Sequence, residues 1–505
     1  MKKKLCLMLV AAMLVSSLAS CSESKVNEEK ETTAASETVA NVSVSDETEE
    51  ETKKYLDDLP EKMDFGGTSM RFIVEEGGNG NLSELSIMAE EDTGEVVDSA
   101  IFTRNASVQE RLNINIDLVD TIMFSGLPAV VRPSITAGSD DYDIVGTYQY
   151  YGISMGPEGL FLNLSNVQNL DFSREYWGTN YINNMSYKGI TYWATGDIAL
   201  RYTGGMYVTY VNQEIWNNHL SDQDIYDIVN EGKWTLDKLY EVSDAIYEDV
   251  NGNGKLDAKD SYGFVFDIED PTEGMAAGSL IKFSELDENG TPYISLNNER
   301  TLTFYEKMYN IIANNSGFWH TEDDNKTVMK MFSESRAMIT SRAMITVNKL
   351  FQSGIYLREM EQEFRIVPVP KLNEEQEHYN TMLHDGVTLF GIPITNQMLE
   401  ETSVTLECMA SESLKTVTPA YYEVALKVKY ARDNESGMMI DLIRENVSAD
   451  FAALYSNNIA NVVHFFRNNL SSKKDNIASA LEKSQKLWNK SMSKLLDNIE
   501  SNANK

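Results

Sequence analysis

The sequence predicts an α/β protein of two lobes or more, and three observations carry that prediction. Apolar residues switch from a helical period to a period of two with almost no connector, the pattern of a mainly parallel sheet covered by helices. The chain has 505 residues, well beyond the about 250–300 at which one hydrophobic core stops growing. Its composition, 42% hydrophobic and 10% aromatic, is that of ordinary globular material.

The elements follow in order. Met70, Phe72 and Val74 share one face of a first strand, which ends at Glu75, Glu76, Gly77 and Gly78. Val97, Ile101, Val108 and Leu112 line one face of a helix. Residues 111–118 then alternate, with Ile114, Ile116 and Leu118 on one side. Asp143, Ile144 and Val145 form a short buried strand that runs into the tyrosine-rich segment 146–151. Residues 190–197 are extended, and 206–211 form a further strand. A helix spans 234–247, with Thr235 as its N-cap and Asp237 in its first turn. Ile477, Leu481, Ser484, Trp488, Leu495 and Ile499 make one stripe of a long amphipathic C-terminal helix. Residues 335–340 are echoed by 341–346, a duplication with no assigned physical meaning.

The N-terminus sets the compartment. Lys2, Lys3 and Lys4 precede an apolar run from Leu5 to Leu18, then Ala19, Ser20 and Cys21. A positive start, a short apolar stretch and small residues before a cut site define a secretory signal, here residues 1–20. The run is shorter than the about 20 residues that span a bilayer. Leu18, Ala19, Ser20 and Cys21 resemble the bacterial lipobox, which implies a lipid (palmitate-type acyl chains) on Cys21 and a protein anchored on the outer face of the cell membrane. Residues 21–60 read as a disordered acidic tether, because they carry too few large apolar side chains to offset chain entropy. Cys6 leaves with the signal and Cys21 carries lipid, so Cys408 stands alone and no internal disulfide forms. Its apolar helical surroundings make it a small core residue.

A formal charge of −35 with no basic stripe excludes nucleic acid as a partner. It also disfavours direct contact with anionic lipid headgroups. With five histidines, no HExxH and no CxxC, a catalytic zinc site is not expected. No GxGxxG, Walker loop or GxSxG elbow occurs, and no catalytic residue is assigned.

One segment matches the twelve-residue calcium loop. Asp249, Asn251 and Asn253 fill positions one, three and five, and Gly254 stands at six. The Lys255 carbonyl serves position seven, Asp257 nine and Asp260 twelve. An Asn-Gly-rich connector would also turn here, but it would not call for acids at one, nine and twelve. Asp260 replaces the commonest bidentate Glu, so modest affinity for Ca2+ and a structural role are expected.

Several segments, in this order and spacing, resemble the lipid-anchored extracellular solute-binding proteins (family 1) of carbohydrate-type ABC importers, particularly clostridial ones. They include Gly138 with Asp141 to Val145, Trp193 to Asp197, Tyr210 to Trp216, Gly232 to Leu239, the calcium-type loop with Tyr262 and Gly263, Val367 to Lys371 with Gln376, Pro419 to Tyr422, and Tyr430, Arg432 and Asp433. The resemblance implies a monomer with a two-lobed periplasmic-binding-protein-like fold of class II type. A ligand cleft lies between lobes that shut by a hinge motion, and ABC permease subunits are the partners. It implies lobe 1 from 61–195 and 336–387 and lobe 2 from 196–335 and 388–505. Crossings fall near 192–197, 336–345 and 385–389.

A sugar presents apolar C–H faces and rings of hydroxyls, so its site needs aromatic rings and planar polar groups at strand ends. Tyr148, Tyr150 and Tyr151 follow a strand. Trp193, Asp197 and Arg201 lie at one crossing, and His384 and Asp385 at another. Tyr421 and Tyr422 begin a helix of the second lobe. Each ring can equally pack in the core. Tyr421 and Tyr422, adjacent on a helix, cannot share a face, and Asp197 and Arg201 can simply pair at i, i+4. The rival readings are a surface carbohydrate-active enzyme using two carboxylates, a calcium-dependent adhesion module, or the same fold holding a peptide or other polar solute.

Overall fold

The computed structural model describes residues 54–76, 82–89, 95–244, 246–322, 324–333, 342–358, 360–422 and 433–503. The signal segment, Cys21, the tether up to residue 53, the hexapeptide 335–340 and residues 430–432 lie outside them. The strands, in chain order, are β1 (Thr68–Glu76), β2 (Ile114–Met123), β3 (Ile144–Tyr148), β4 (Tyr207–Asn212), β5 (Tyr247–Glu248), β6 (Ser261–Asp267), β7 (Ser284–Leu286), β8 (Pro292–Ile294), β9 (Phe318–Thr321), β10 (Arg342–Lys349), β11 (Phe364–Pro368) and β12 (Thr388–Gly391).

The first sheet has the order β2-β1-β3-β12, with β1, β2 and β3 parallel and β12 antiparallel to β3. β1 is internal, and Phe72, Ile73 and Val74 are all buried, the continuous apolar run of a strand covered on both faces. β2 is the edge strand, so Ile114 and Ile116 point inward while Asn115 and Asp117 meet solvent. The helix Val96–Leu112 turns straight into β2 because Asn113 adopts a left-handed conformation at φ 49°, one that asparagine tolerates better than most residues.

The second sheet has the order β11-β4-β10-β6, with β5 and β9 both paired to β6. It is mixed: β10 runs parallel to β6 but antiparallel to β4, and β11 is antiparallel to β4. Every residue of β4 and of β6 is buried. Together the sheets make the two-lobed α/β fold of class II type within one compact unit, Lys53–Lys505.

Four expectations need correction. β10 and β11, expected in lobe 1 as part of 336–387, belong to the second sheet, because their apolar faces pair with β4 and β6. The chain therefore does not change sheets between β9 and β10; it does so between β11 and β12, since β12 lies beside β3. The segment 388–505 is not all lobe 2. The helix Leu399–Glu412 packs on the helix Val96–Leu112, whereas Asn434–Glu445 packs on β11. The tether does not extend to residue 60: Asp57 is buried in an ion pair of 2.7 Å with Arg111, whose guanidinium lies 3.7 Å from the Tyr55 ring centre. Finally, the Thr235-capped helix ends at Ser243, because Tyr247 and Glu248 pair with β6 instead.

The long helix Ala478–Ser501 buries Leu481, Trp488, Leu495 and Ile499 as its stripe requires. It touches both lobes: Tyr192 donates to the Ile499 carbonyl (3.2 Å), and Gln485 donates to that of Ile294 (3.3 Å). Cys408 is fully buried, and burial pushes its thiol up, as for a core residue.

Candidate functional site

A cleft of about 420 Å3 lies where the C-terminal ends of β3, β6 and β10 face one another. Strand ends are where α/β folds leave loops free to bind ligands. From the first sheet come Tyr148, Tyr150 and Tyr151, at the end of β3 and in the turn of helix after it, and the approach to β12 supplies His384 and Asp385. From the second sheet come Asp267 and Asp270 after β6, and Lys349, Phe351 and Gln352 after β10. Arg201 lines the cleft from the connection between the sheets, and His464 and Arg467 from the C-terminal region.

Phe124, Tyr148, Tyr150 and Tyr151 form a ring cluster with centre separations of 5.0 to 5.7 Å. His464 stacks on Tyr150 at 5.5 Å. Gly386 lets this wall close up: a Cβ there would come within 2.7 Å of both the Tyr148 hydroxyl and His384 Nδ1. The Gly386 N–H donates to His384 Nδ1 (3.0 Å), so the ring proton sits on Nε2, facing Asp270 Oδ2 at 3.0 Å.

Asp270 is the electrostatic hub. Lys349 Nζ lies 3.0 Å from it and Arg467 3.3 Å. Burial alone would raise its carboxyl, but Lys349 and His384 hold it well below the usual carboxylate range. Arg467 also meets Glu269 (2.9 Å) and Glu273 (3.5 Å). Burial and the nearby Asp385 push Glu273 well above its ordinary value. Burial likewise raises Asp385, with His384 opposing, and pushes His464 down to about 4, which leaves that ring neutral. The walls therefore offer half-buried rings and fixed charges, a combination suited to a polar ligand with an apolar face.

Five of the nine expected ligand residues, Tyr148, Tyr150, Tyr151, Arg201 and Asp385, meet in this cleft, as does His384. The other four do not. Trp193 is fully buried against Phe161 and donates to the Ile153 carbonyl (3.1 Å). Asp197 accepts from Thr418 (2.7 Å) in a separate small hollow and does not pair with Arg201. Tyr421 is buried with its hydroxyl against Gly204, and Tyr422 donates to the Ile440 carbonyl (2.9 Å). Both tyrosines continue a helical run that is already under way before residue 419, instead of beginning one. Asp267, Asp270, Lys349, Phe351, Gln352, His464 and Arg467 were missed. The turn after the alternating run 262–266 was the signal for Asp267 and Asp270; no local pattern marks the others.

A larger hollow of about 540 Å3 lies beside the β7–β8 hairpin, between Lys282 to Leu286 and Ser448 to Asp450. It has neither a ring cluster nor strand ends from both sheets, so the interlobe cleft is the better candidate.

The loop 249–260 joins β5 to β6, with Gly252 and Gly254 at φ 68° and 69°. Asp249 accepts from the Asn253 and Gly254 amides (3.2 and 2.8 Å), and Asn253 and Asn251 donate to Asp257 (2.8 and 3.1 Å). Among the described residues no three acid, Cys or His side chains are grouped to hold a metal. The fit to a cation rests instead on Asp260, at position twelve: it is fully buried, and its Oδ1 has no hydrogen-bond partner.

No protein-family model and no curated protein matches the sequence. Solved structures share its fold. An ABC substrate-binding protein from Listeria monocytogenes in complex with cycloalternan is 11% identical, with a TM-score of 0.54 over 85% of this chain and 99% of that one. An ABC transporter solute-binding protein from Thermotoga lettingae with bound alpha-D-tagatose is 12% identical, at 0.53 over 84% and 100%. The cyclic alpha-maltosyl-1,6-maltose binding protein of Arthrobacter globiformis is 11% identical, at 0.53 over 86% and 100%. At such identities the likeness is one of fold, extending over nearly all of each binding protein.

Proposed function

We propose that this chain is the extracellular capture subunit of an ABC importer, holding a small polar solute, a sugar or oligosaccharide, by hinge closure of its two lobes. The observation that carries this reading is the cleft itself: rings on one wall and fixed hydrogen-bonding groups on the other, placed at strand ends of two separate sheets. Solved structures of the same fold, complexes with cycloalternan and alpha-D-tagatose and a cyclic alpha-maltosyl-1,6-maltose binding protein, support the choice of carbohydrate. The reading assigns binding, not catalysis, to the cleft, with permease subunits as partners and a monomer as the working form. It includes a lipid on Cys21 and a structural Ca2+ held by Asp249, Asn251, Asn253, the Lys255 carbonyl, Asp257 and Asp260, for which the partnerless oxygen of Asp260 speaks.

A thermal-shift screen of the purified chain against a sugar library tests the function. Ligand at a hundredfold excess over its Kd stabilises the folded state by about 2.7 kcal/mol, a rise of a few degrees in Tm. The same sugar should contract the protein in small-angle X-ray scattering. Hydrolysis of the sugars on prolonged incubation would point to the enzyme reading instead.

A further inference from the structure

Arg201 lies on the helix Leu200–Gly204, in the connection between the sheets. It is 5% exposed and lines the cleft, its guanidinium 5.6 Å from the Tyr148 ring centre and 5.9 Å from that of Phe351. Its Nε is buried without a hydrogen-bond partner, and among the described residues it forms no ion pair. The other cations of the cleft are already engaged, Lys349 by Asp270 and Arg467 by Glu269, Asp270 and Glu273. Arg104, a guanidinium buried elsewhere without a carboxylate, satisfies itself on the Ile87 carbonyl, Asn105 and Ser413. Among the described residues Arg201 has no such substitute.

Removing a guanidinium from water without an acceptor is unfavourable, and ring faces return only part of that loss. The planar fork of arginine matches a carboxylate bidentately, with charge and geometry together. The acids of the cleft would repel an anion if they were unpaired, but Asp270 is paired with Lys349 and Arg467 and accepts from His384 Nε2, and His384 also lies 3.6 Å from Asp385. Such carboxylates accept from hydroxyls. Taking the capture function above as its basis, we infer that the ligand is an acidic carbohydrate. Its carboxylate, as in a uronic acid residue, docks on Arg201 while its hydroxyls face Asp270 and Asp385.

The test is isothermal titration of the full folded chain with D-glucuronate, D-galacturonate and their di- and trisaccharides. The corresponding neutral sugars and a glycine dipeptide are run alongside. An acidic sugar should bind at least about 10-fold more tightly than its neutral counterpart, the worth of one charge-assisted hydrogen bond. Arg201→Gln should abolish that margin, and Arg201→Lys should keep part of it. Because Arg201 has no ion-pair partner among the described residues, the ligand-free Arg201→Gln protein should melt at or above the wild-type temperature; a marked fall would assign Arg201 to structure and overturn the inference. A neutral sugar that binds as well as every acidic one, with no effect of Arg201→Gln, overturns it while leaving sugar capture intact. Preference for the dipeptide also overturns it. Silence from the whole panel, with no thermal shift, removes the capture reading itself.

Discussion

At the residue scale, burial decides what Asp197 does. Asp197 is nearly buried, and its main compensating contact is the Thr418 hydroxyl. Burial raises its carboxyl from 3.8 to about 6. Between those values the folded state holds a proton that the unfolded chain has released. Stability from this group is therefore full below the unfolded value and is lost as pH rises through about 6. The loss is on the order of 3 kcal/mol. Asp197→Asn should flatten the fall in Tm across that window and be neutral or stabilising near neutral pH, as calorimetry against pH would read. An unchanged pH profile would mean that Asp197 is ionised throughout. Trp193 teaches the same lesson on the apolar side. Its ring fills the contact between Phe161 and Gly391, so it serves packing and not ligand.

At the element scale, the turn chemistry was legible and the partners were not. Thr235 caps its helix by accepting from the Lys238 amide (3.2 Å), and the glycine positions of the loop 249–260 take the positive φ that such a turn requires. Those are local properties. The mixed character of the second sheet depends on which strand lies beside β4, and an apolar run reads the same whether its neighbour is parallel or antiparallel. The loop also carries a prediction. With three carboxylates its affinity for Ca2+ should be in the range of extracellular modules, about 10−4 to 10−3 M. EDTA should then lower the melting temperature of the wild type, and Asp249→Ala should abolish that sensitivity while lowering the starting value. A wild type indifferent to EDTA ends the calcium assignment.

At the scale of the whole molecule, no helix among the described residues is long and apolar enough to cross a membrane, and the proposed lipid on Cys21 carries a test of its own. The full chain should partition into the detergent phase on cloud-point extraction from bacterial membranes, and Cys21→Ser should move it to the aqueous phase. A Cys21→Ser protein that still enters the detergent phase would assign anchoring elsewhere.

The sequence by itself determined what depends on neighbours along the chain: the period of the helix at Val96–Leu112, the tyrosine cluster after β3, the calcium-type spacing, and Cys408 as core. Of the nine expected residues five line the cleft, and three of these, Tyr148, Tyr150 and Tyr151, were legible because they follow a strand end that can be recognised locally. Only the tertiary structure decided that β10 and β11 join β4, that β12 returns to the first sheet, and that Lys349, His464 and Arg467 converge on Asp270. Those contacts join residues far apart in the chain, and the free energy that selects them comes from burial and charge pairing across the fold, which no local period encodes.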